Sequence, residues 1–128
     1  MTAIDCFCDY NPPTFYDRVV RTARKVHQCY ECGGKIAVGE KYENVAGLWE
    51  GSFSVFKTCE RCVDIRTWVK NSVPCFCWAH GNMTEDAKET VEEAAYRAPQ
   101  ETVGLRFGLL RRIELRDRFN ASRKAAAA

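Results

Sequence analysis

The stretch Cys29-Tyr30-Glu31-Cys32-Gly33-Gly34 and the later stretch Cys59-Glu60-Arg61-Cys62 are the most informative parts of this 128-residue sequence. Their two Cys-x-x-Cys pairs are separated by 26 residues, which is a zinc-site pattern with few chance matches. Each pair lets two sulfurs face one ion, and the glycines permit backbone conformations that direct amide protons at the thiolates. Tetrahedral Zn²⁺ bound by four thiolates has no position left for water, so the sequence predicts a structural zinc site.

The residues between the two pairs are predicted to form a β-hairpin. Residues 42–49 and 53–58 have strand composition, and they flank Glu50-Gly51, where glycine supplies the positive φ of a two-residue turn. After Cys59 the apolar positions recur at helical spacing until Pro74 ends the run. We therefore expect a strand, a tight turn, a second strand and then a helix over residues 60–71.

The remaining segments carry weaker patterns. Residues 14–20 are short enough for one or two helical turns, and the basic segment after them could be extended. A second helix is predicted to begin near Asn82, which together with Glu85 resembles a capping box, and to stop before Pro99. Residues 103–119 alternate like a strand and also repeat like one face of a helix. Their length and their many arginines favour a helix, with an extended piece near its start as the alternative.

Composition decides how the eight cysteines are interpreted. The chain has no apolar run of the roughly 18 residues that a membrane span needs and no signal-like start, so we expect a cytoplasmic protein with reduced thiols. Clustered thiols in that compartment favour metal over disulfides. Two Zn²⁺ ions with eight thiolates contribute a net charge of −4 and bring the formal charge of +2 to −2. Overall basicity therefore gives no reason to expect nucleic-acid binding.

A second zinc site is predicted from the other two cysteine pairs, which makes two ions in all. Its ligands would be Cys6, Cys8, Cys75 and Cys77, with His80 as an alternative ligand. Such an ion would clamp the N-terminal segment to the chain just after the helix, which would stabilise so small a protein. The four residues could instead be buried thiols or form a disulfide on handling. An iron–sulfur cluster is chemically possible with either set, but nothing in the sequence indicates a redox partner.

Cys29-Tyr-Glu-Cys32-Gly33 resembles a zinc knuckle, residues 36–58 resemble the hairpin that follows it, and Cys59-Glu-Arg-Cys62 resembles a pair on the first turn of a helix. Together these parts are similar to the treble-clef zinc fingers over residues 24–71. The whole chain resembles small phage and prophage zinc-binding proteins of uncharacterised function. The treble-clef resemblance implies a small α+β fold and a zinc ion, but that fold hosts nucleic-acid binders, protein adaptors and some nucleases.

The expected organisation is a single compact domain. Residues 1–80 would form the zinc-stapled treble-clef core, residues 81–124 a C-terminal helical extension packed on it, and residues 125–128 a tail. The chain lacks the signature of the zinc deaminases and has no phosphate-binding glycine loop. With only two histidines it offers little to a nuclease site, so we expect no enzymatic activity. The alternative is a catalytic zinc at the second site, held by two cysteines and one histidine with water in the fourth position.

Two surfaces are candidates for binding a partner. Trp49 stands beside the turn of the predicted hairpin, and aromatic residues are common anchors of protein interfaces. The C-terminal segment could bind phosphates through Arg111, Arg112, Arg116 and Arg118. We expect a protein-interaction module, which the phage resemblance would make a modulator or inhibitor of a host factor. A nucleic-acid-binding regulator is the alternative, and the oligomeric state stays open.

Overall fold

The computed structural model describes Cys6, Cys8 and residues 12–127. These residues fall into two compact units: residues 12–63 form the first, and residues 64–127 with Cys6 and Cys8 form the second. The first unit contains the antiparallel sheet, and the second contains most of the helical residues. The fold is therefore of the α+β class, as predicted. Among the described residues, no helix is both long enough and apolar enough to cross a membrane.

The first unit is built on a three-stranded antiparallel sheet. The described part of this unit contains five strands in all, namely β1 (Phe15–Thr22), β2 (His27–Gln28), β3 (Lys35–Ile36), β4 (Lys41–Trp49) and β5 (Ser52–Cys59). The sheet has the order β1-β4-β5, while β2 and β3 form a separate two-stranded ladder. The predicted hairpin is confirmed, and Glu50 and Gly51 at its turn have φ values of 50° and 81°. Two consecutive positive φ values define the turn whose twist suits a hairpin.

The helical turns predicted for residues 14–20 are wrong, because β1 occupies this segment and pairs with β4 along its whole length. Arg18 of β1 forms an ion pair with Glu43 of β4, whose side chain is buried. The buried carboxylate needs a cation, and the edge of β4 needs hydrogen-bond partners. Tertiary structure here overrides a weak local pattern.

Three helices follow the sheet: α1 (Glu60–Ser72), α2 (Met83–Arg97) and α3 (Leu105–Ala127). The predicted helix over residues 60–71 and the predicted limits of α2 are confirmed, and α3 resolves the ambiguous C-terminal segment as a helix. The predicted capping box does not form, because Asn82 makes no side-chain cap. Its amide donates instead to Asp86 Oδ1 at 2.9 Å, and Asp86 Oδ2 accepts the Ala79 N–H.

The second unit packs α3 against α2 and against the later part of α1. Leu105, Leu109 and Ile113 of α3 are buried at intervals of four residues, which places them on one helix face. Gly108 lies on Trp68, where an added Cβ would be 2.9 Å from the indole ring. Glycine is a poor helix former, but its presence at position 108 is explained because no larger residue would leave room for the Trp68 ring.

Candidate metal centre

Four cysteines of the first unit come together from separate segments of the chain, and we call them the buried quartet. Cys29 follows β2, Cys32 lies in the turn between β2 and β3, Cys59 ends β5, and Cys62 is in the first turn of α1. β5 passes into α1 without a linker, so the positions of Cys59 and Cys62 are fixed by a strand and by a helix. The sequence predicts the second pair on the first turn of a helix; Cys62 lies there, whereas Cys59 is the last residue of β5.

The sulfur atoms of the buried quartet have the spacing of a tetrahedral site. All four lie within 4.8 Å of one another, with 3.9 Å between Cys29 Sγ and Cys62 Sγ and 3.7 Å between Cys32 Sγ and Cys59 Sγ. A tetrahedron with Zn–S bonds of about 2.3 Å has edges of about 3.8 Å, so two opposite edges already match. Cys29, Cys59 and Cys62 are at most 2% exposed. The quartet could therefore hold a metal ion shielded from water.

Backbone amides point at two of these sulfurs. The Cys59 N–H donates to Cys29 Sγ at 3.3 Å, and the Gly34 N–H donates to Cys32 Sγ at 3.4 Å. Gly33 has a φ of 72°, a conformation that glycine adopts without a steric penalty. Such bonds stabilise charge on sulfur, which is the chemistry that the Gly33-Gly34 pair predicts.

The four thiols of the buried quartet cannot all ionise without a cation. Contacts with the Cys29, Cys59 and Cys62 thiols lower the pKa of Cys32. The Cys32 contact raises the pKa of Cys29, but the contacts with Cys59 and Cys62 outweigh it and bring this pKa to about 7. Contacts with Cys29 and Cys32, together with burial, raise the pKa of both Cys59 and Cys62 well above the ordinary range. Full ionisation of the quartet therefore needs a positive ion among the sulfurs.

The other four cysteines also come together, in the second unit, and we call them the accessible quartet. Disulfides join Cys6 to Cys75 and Cys8 to Cys77. The four sulfurs lie within 4.8 Å of one another, and Cys75 Sγ is 3.7 Å from Cys77 Sγ. In the reduced chain they therefore form a second tetra-cysteine group that could hold a metal ion. Either chemistry ties Cys6 and Cys8 to the segment after α1, as the predicted clamp requires.

Neither histidine joins a cysteine quartet. His80, the predicted alternative ligand, is not among the ligand atoms that cluster with the accessible quartet, and its ring stands edge-on to Trp78 with 4.6 Å between centroids. His27 packs on the Tyr42 ring at 5.1 Å, and partial burial and the nearby Lys57 lower its pKa. The metal chemistry of the described residues therefore rests on thiols.

Trp49, the predicted surface anchor, is half-buried in an aromatic cluster of the first unit. Its ring lies 6.1 Å from the Tyr16 ring and 5.4 Å from the Phe56 ring, edge-on to both. An added Cβ at Gly47 would come within 2.4 Å of the Trp49 ring, so the indole covers this glycine. Trp49 thus packs along one face of the sheet.

The opposite face of the sheet carries an apolar surface that the sequence analysis missed. Phe15, Leu48 and Phe53 are direct cross-strand partners and form one row across the three strands. Phe53 is 65% exposed and Phe15 is 53% exposed, and Val19 and Val55 are exposed on the same face. We call these five residues the open face. The pairing of Leu48 with Phe53 follows from the two-residue turn, but Phe15 could not be placed without recognising β1.

The candidate phosphate-binding arginines lie on α3, and most of them make contacts within the second unit. Arg112 stacks on an indole ring at 4.1 Å, Arg116 is buried and donates to a threonine hydroxyl of α2, and Arg118 forms an ion pair one turn away on α3. Arg111 is exposed. Three of the four candidate side chains are therefore exposed, and Arg116 is buried.

Comparisons of this chain with protein-family models, with curated proteins and with solved structures give no match. The treble-clef and phage resemblances therefore rest on the sequence motifs that suggested them.

Proposed function

We propose that this protein is a non-enzymatic, zinc-stabilised module that binds another protein through the open face of its sheet. The observation that carries the proposal is the cross-strand row of Phe15, Leu48 and Phe53, in which both phenylalanines are exposed and Leu48 is half-buried. Contiguous exposed apolar surface on a soluble protein marks an interaction site, and aromatic side chains supply most of the binding energy in such sites.

Zinc is the metal that we assign to the buried quartet. Sulfur-to-sulfur distances of 3.7 and 3.9 Å suit one tetrahedral ion, whereas a cluster of several irons needs more room than sulfurs within 4.8 Å of one another leave. The order of knuckle, hairpin and helix along the chain supports a treble-clef finger. A closed tetrahedral shell has no place for water, so we assign the ion a structural role.

The structural ion would act on the open face through the hairpin. β5 carries Phe53 and Val55 and ends at Cys59, while β4 carries Leu48 between β1 and β5. Fixing Cys59 to the knuckle fixes the end of β5, and a rigid surface loses less entropy on binding than a mobile one. The metal therefore supports binding without touching the partner.

A protein partner fits the surface better than nucleic acid does. The five residues of the open face are apolar, while three of the four candidate arginines on α3 contact neighbours of their own unit. With two zinc ions the net charge is −2, which disfavours association with phosphate chains. The phage resemblance would make the partner a host protein.

The zinc assignment is tested by the native and denatured masses of freshly reduced protein, together with elemental analysis. We expect zinc at the buried quartet and a second zinc at the accessible quartet. Zinc that survives Cys75→Ser but not Cys62→Ser would place the firmly bound ion in the buried quartet. Protein that folds without zinc and without any other metal would overturn the assignment.

The interaction surface is tested by capture of a binding partner from a lysate of the source cells. Phe53→Glu, which puts a charge on the open face, should abolish capture, while Val38→Glu serves as a control at an exposed turn residue. Capture by the native chain should persist from about 0.1 M to about 0.5 M salt, since apolar contacts are not screened. A nucleic acid that is released by salt and indifferent to Phe53→Glu would support the alternative function.

A further inference from the structure

The outer edge of β1 has the features of a strand-pairing surface. All eight residues of β1 are exposed, and within the described part of the chain the sheet ends at this strand. Val19 and Val20 are 37% and 54% exposed. A long edge strand that exposes apolar residues is a template on which another strand can add.

The hydrogen bonds between β1 and β4 show which backbone groups face outward. Ala23 N–H donates to the Glu40 carbonyl at 2.8 Å, and the same register continues through β1. In an antiparallel ladder alternate residues bond to the same neighbour. The odd-numbered residues of β1 therefore bond to β4. The N–H and C=O groups of Arg18, Val20 and Thr22 point to the outer edge, where a further strand would bind.

Charge identifies the strand that fits this edge. A second copy of β1, related by a two-fold axis perpendicular to the sheet, pairs odd residues with odd residues because directly opposite side chains share a face. An axis at Val19 places Asp17 of each copy opposite Arg21 of the other. An axis at Arg18 would oppose two arginines, and an axis at Asp17 would oppose two aspartates. An axis at Val20 would leave Asp17 opposite an alanine.

The charges needed for this pairing are available. Arg18 is engaged by Glu43 of its own chain. Asp17 and Arg21 form no ion pair among the described residues, and they lie on one face of β1, four residues apart. That spacing is symmetric about Val19, so one register satisfies both charges in both copies.

We propose that two copies of this chain associate through β1, with Val19 on the two-fold axis and Asp17 of each copy opposite Arg21 of the other. Two three-stranded sheets then form one six-stranded sheet, and the exposed edges of both β1 strands are closed. The pairing uses the strand edge and does not rest on the function proposed for the open face.

The native protein is the first test of this dimer. Native mass spectrometry and light scattering on reduced, zinc-loaded protein should give a particle of twice 14.6 kDa that dissociates on dilution. A particle of one chain mass at all concentrations up to about 0.1 mM would overturn the proposal, since a pairing that weak has no role in solution.

A charge-reversal experiment tests the register. Asp17→Arg alone and Arg21→Asp alone should each raise the dimer dissociation constant about tenfold, because both cross-strand pairs become like charges. Mixing the Asp17→Arg chain with the Arg21→Asp chain brings opposite charges together at both positions and should restore affinity in the mixed dimer. A mixture that associates no better than the separate variants would overturn the register.

A third variant tests the axis. Val19→Lys places two ammonium groups against each other and should abolish the dimer, while Val38→Lys, at an exposed turn residue outside β1, should leave it intact. Circular dichroism and zinc content verify folding of both. A dimer that survives Val19→Lys contradicts the proposal. Phe53→Glu, on β5, should not affect dimerisation, so failure of this proposal and failure of the open-face proposal are distinguishable.

Discussion

The buried quartet and the accessible quartet contain the same donor atoms in different surroundings. In the buried quartet three of the four cysteines are at most 2% exposed, and backbone amides donate to Cys29 Sγ and Cys32 Sγ. In the accessible quartet Cys6 and Cys8 are exposed, and the other two cysteines are half-buried. The donor set is thus identical, and the difference lies in what encloses it.

The position of each quartet along the chain explains this difference. The buried quartet is formed by the turn between β2 and β3 and by the junction of β5 with α1, so its own ligands lie at the ends of secondary-structure elements. The accessible quartet joins segments 69 residues apart and is closed by short Cys-x-Cys pairs. Loss of an ion from the buried quartet therefore disrupts packed structure. Loss of the ion or of the disulfides from the accessible quartet only releases the clamp between two chain segments.

The largest expected effect is the loss of folding when the buried quartet is broken. In reduced protein with zinc, Cys62→Ser should unfold residues 12–63, because a structural zinc site contributes on the order of 10 kcal/mol, comparable to the stability of a whole domain. Cys77→Ser should lower the free energy of unfolding by about 3 kcal/mol, the usual contribution of a cross-link that ties two chain segments together. Denaturant titration followed by circular dichroism measures both, and equal losses would contradict the comparison.

The next effect is the loss of one of two zinc ions on oxidation. Oxidised glutathione should convert the accessible quartet to its two disulfides by thiol–disulfide exchange, with four electrons passing to the glutathione and one zinc ion released. The shielded thiolates of the buried quartet should keep their ion. Elemental analysis before and after oxidation checks this, with Cys75→Ser as the control that has no complete second site. Simultaneous release of both ions would show that the quartets do not differ in access.

A smaller and graded effect is the pH dependence of zinc affinity at the buried quartet. The raised pKa values of Cys59 and Cys62 mean that the metal-free protein carries both protons at neutral pH. Zinc must displace these protons, so its affinity rises with pH and falls as pH is lowered. Release of about two protons corresponds to about a hundredfold change in affinity per pH unit. Competition with a chromophoric chelator at several pH values measures the slope, and a flat profile would contradict it.

The sequence predicts the buried quartet well because its geometry is local. The Cys-x-x-Cys turns, the glycines after Cys32 and the two-residue turn at Gly51 each set a backbone conformation within a few residues. The helix after Cys59 follows from its apolar period. These elements could be predicted from the sequence, and the structure contains all of them.

The parts that could not be predicted depend on contacts between distant residues. β1 is a strand because β4 offers an edge and because Glu43 needs Arg18, neither of which is visible in residues 14–20. The open face follows from β1, so it was missed with it. The sequence also does not decide whether the accessible quartet binds zinc or forms disulfides, since two Cys-x-Cys pairs suit either.

The smallest expected effect separates backbone strain from metal binding. Gly33, with φ of 72°, lies between β2 and β3, and Gly39, with φ of 90°, lies in a turn between β3 and β4. An added Cβ meets nothing closer than 3.8 Å at either glycine. Alanine at each should therefore cost about 1 kcal/mol of stability through backbone conformation alone.

Zinc affinity should separate these two variants. Gly33→Ala shifts the following Gly34 N–H away from Cys32 Sγ and should weaken zinc binding severalfold, whereas Gly39→Ala should leave it unchanged. Unfolding titrations and chelator competition on both variants provide the two readouts. Both alanine variants could lower stability while neither lowers zinc affinity. The hydrogen bonds from backbone amides to sulfur would then not explain why the buried quartet binds its ion more firmly than the accessible quartet does. Shielding from water alone would have to account for that difference.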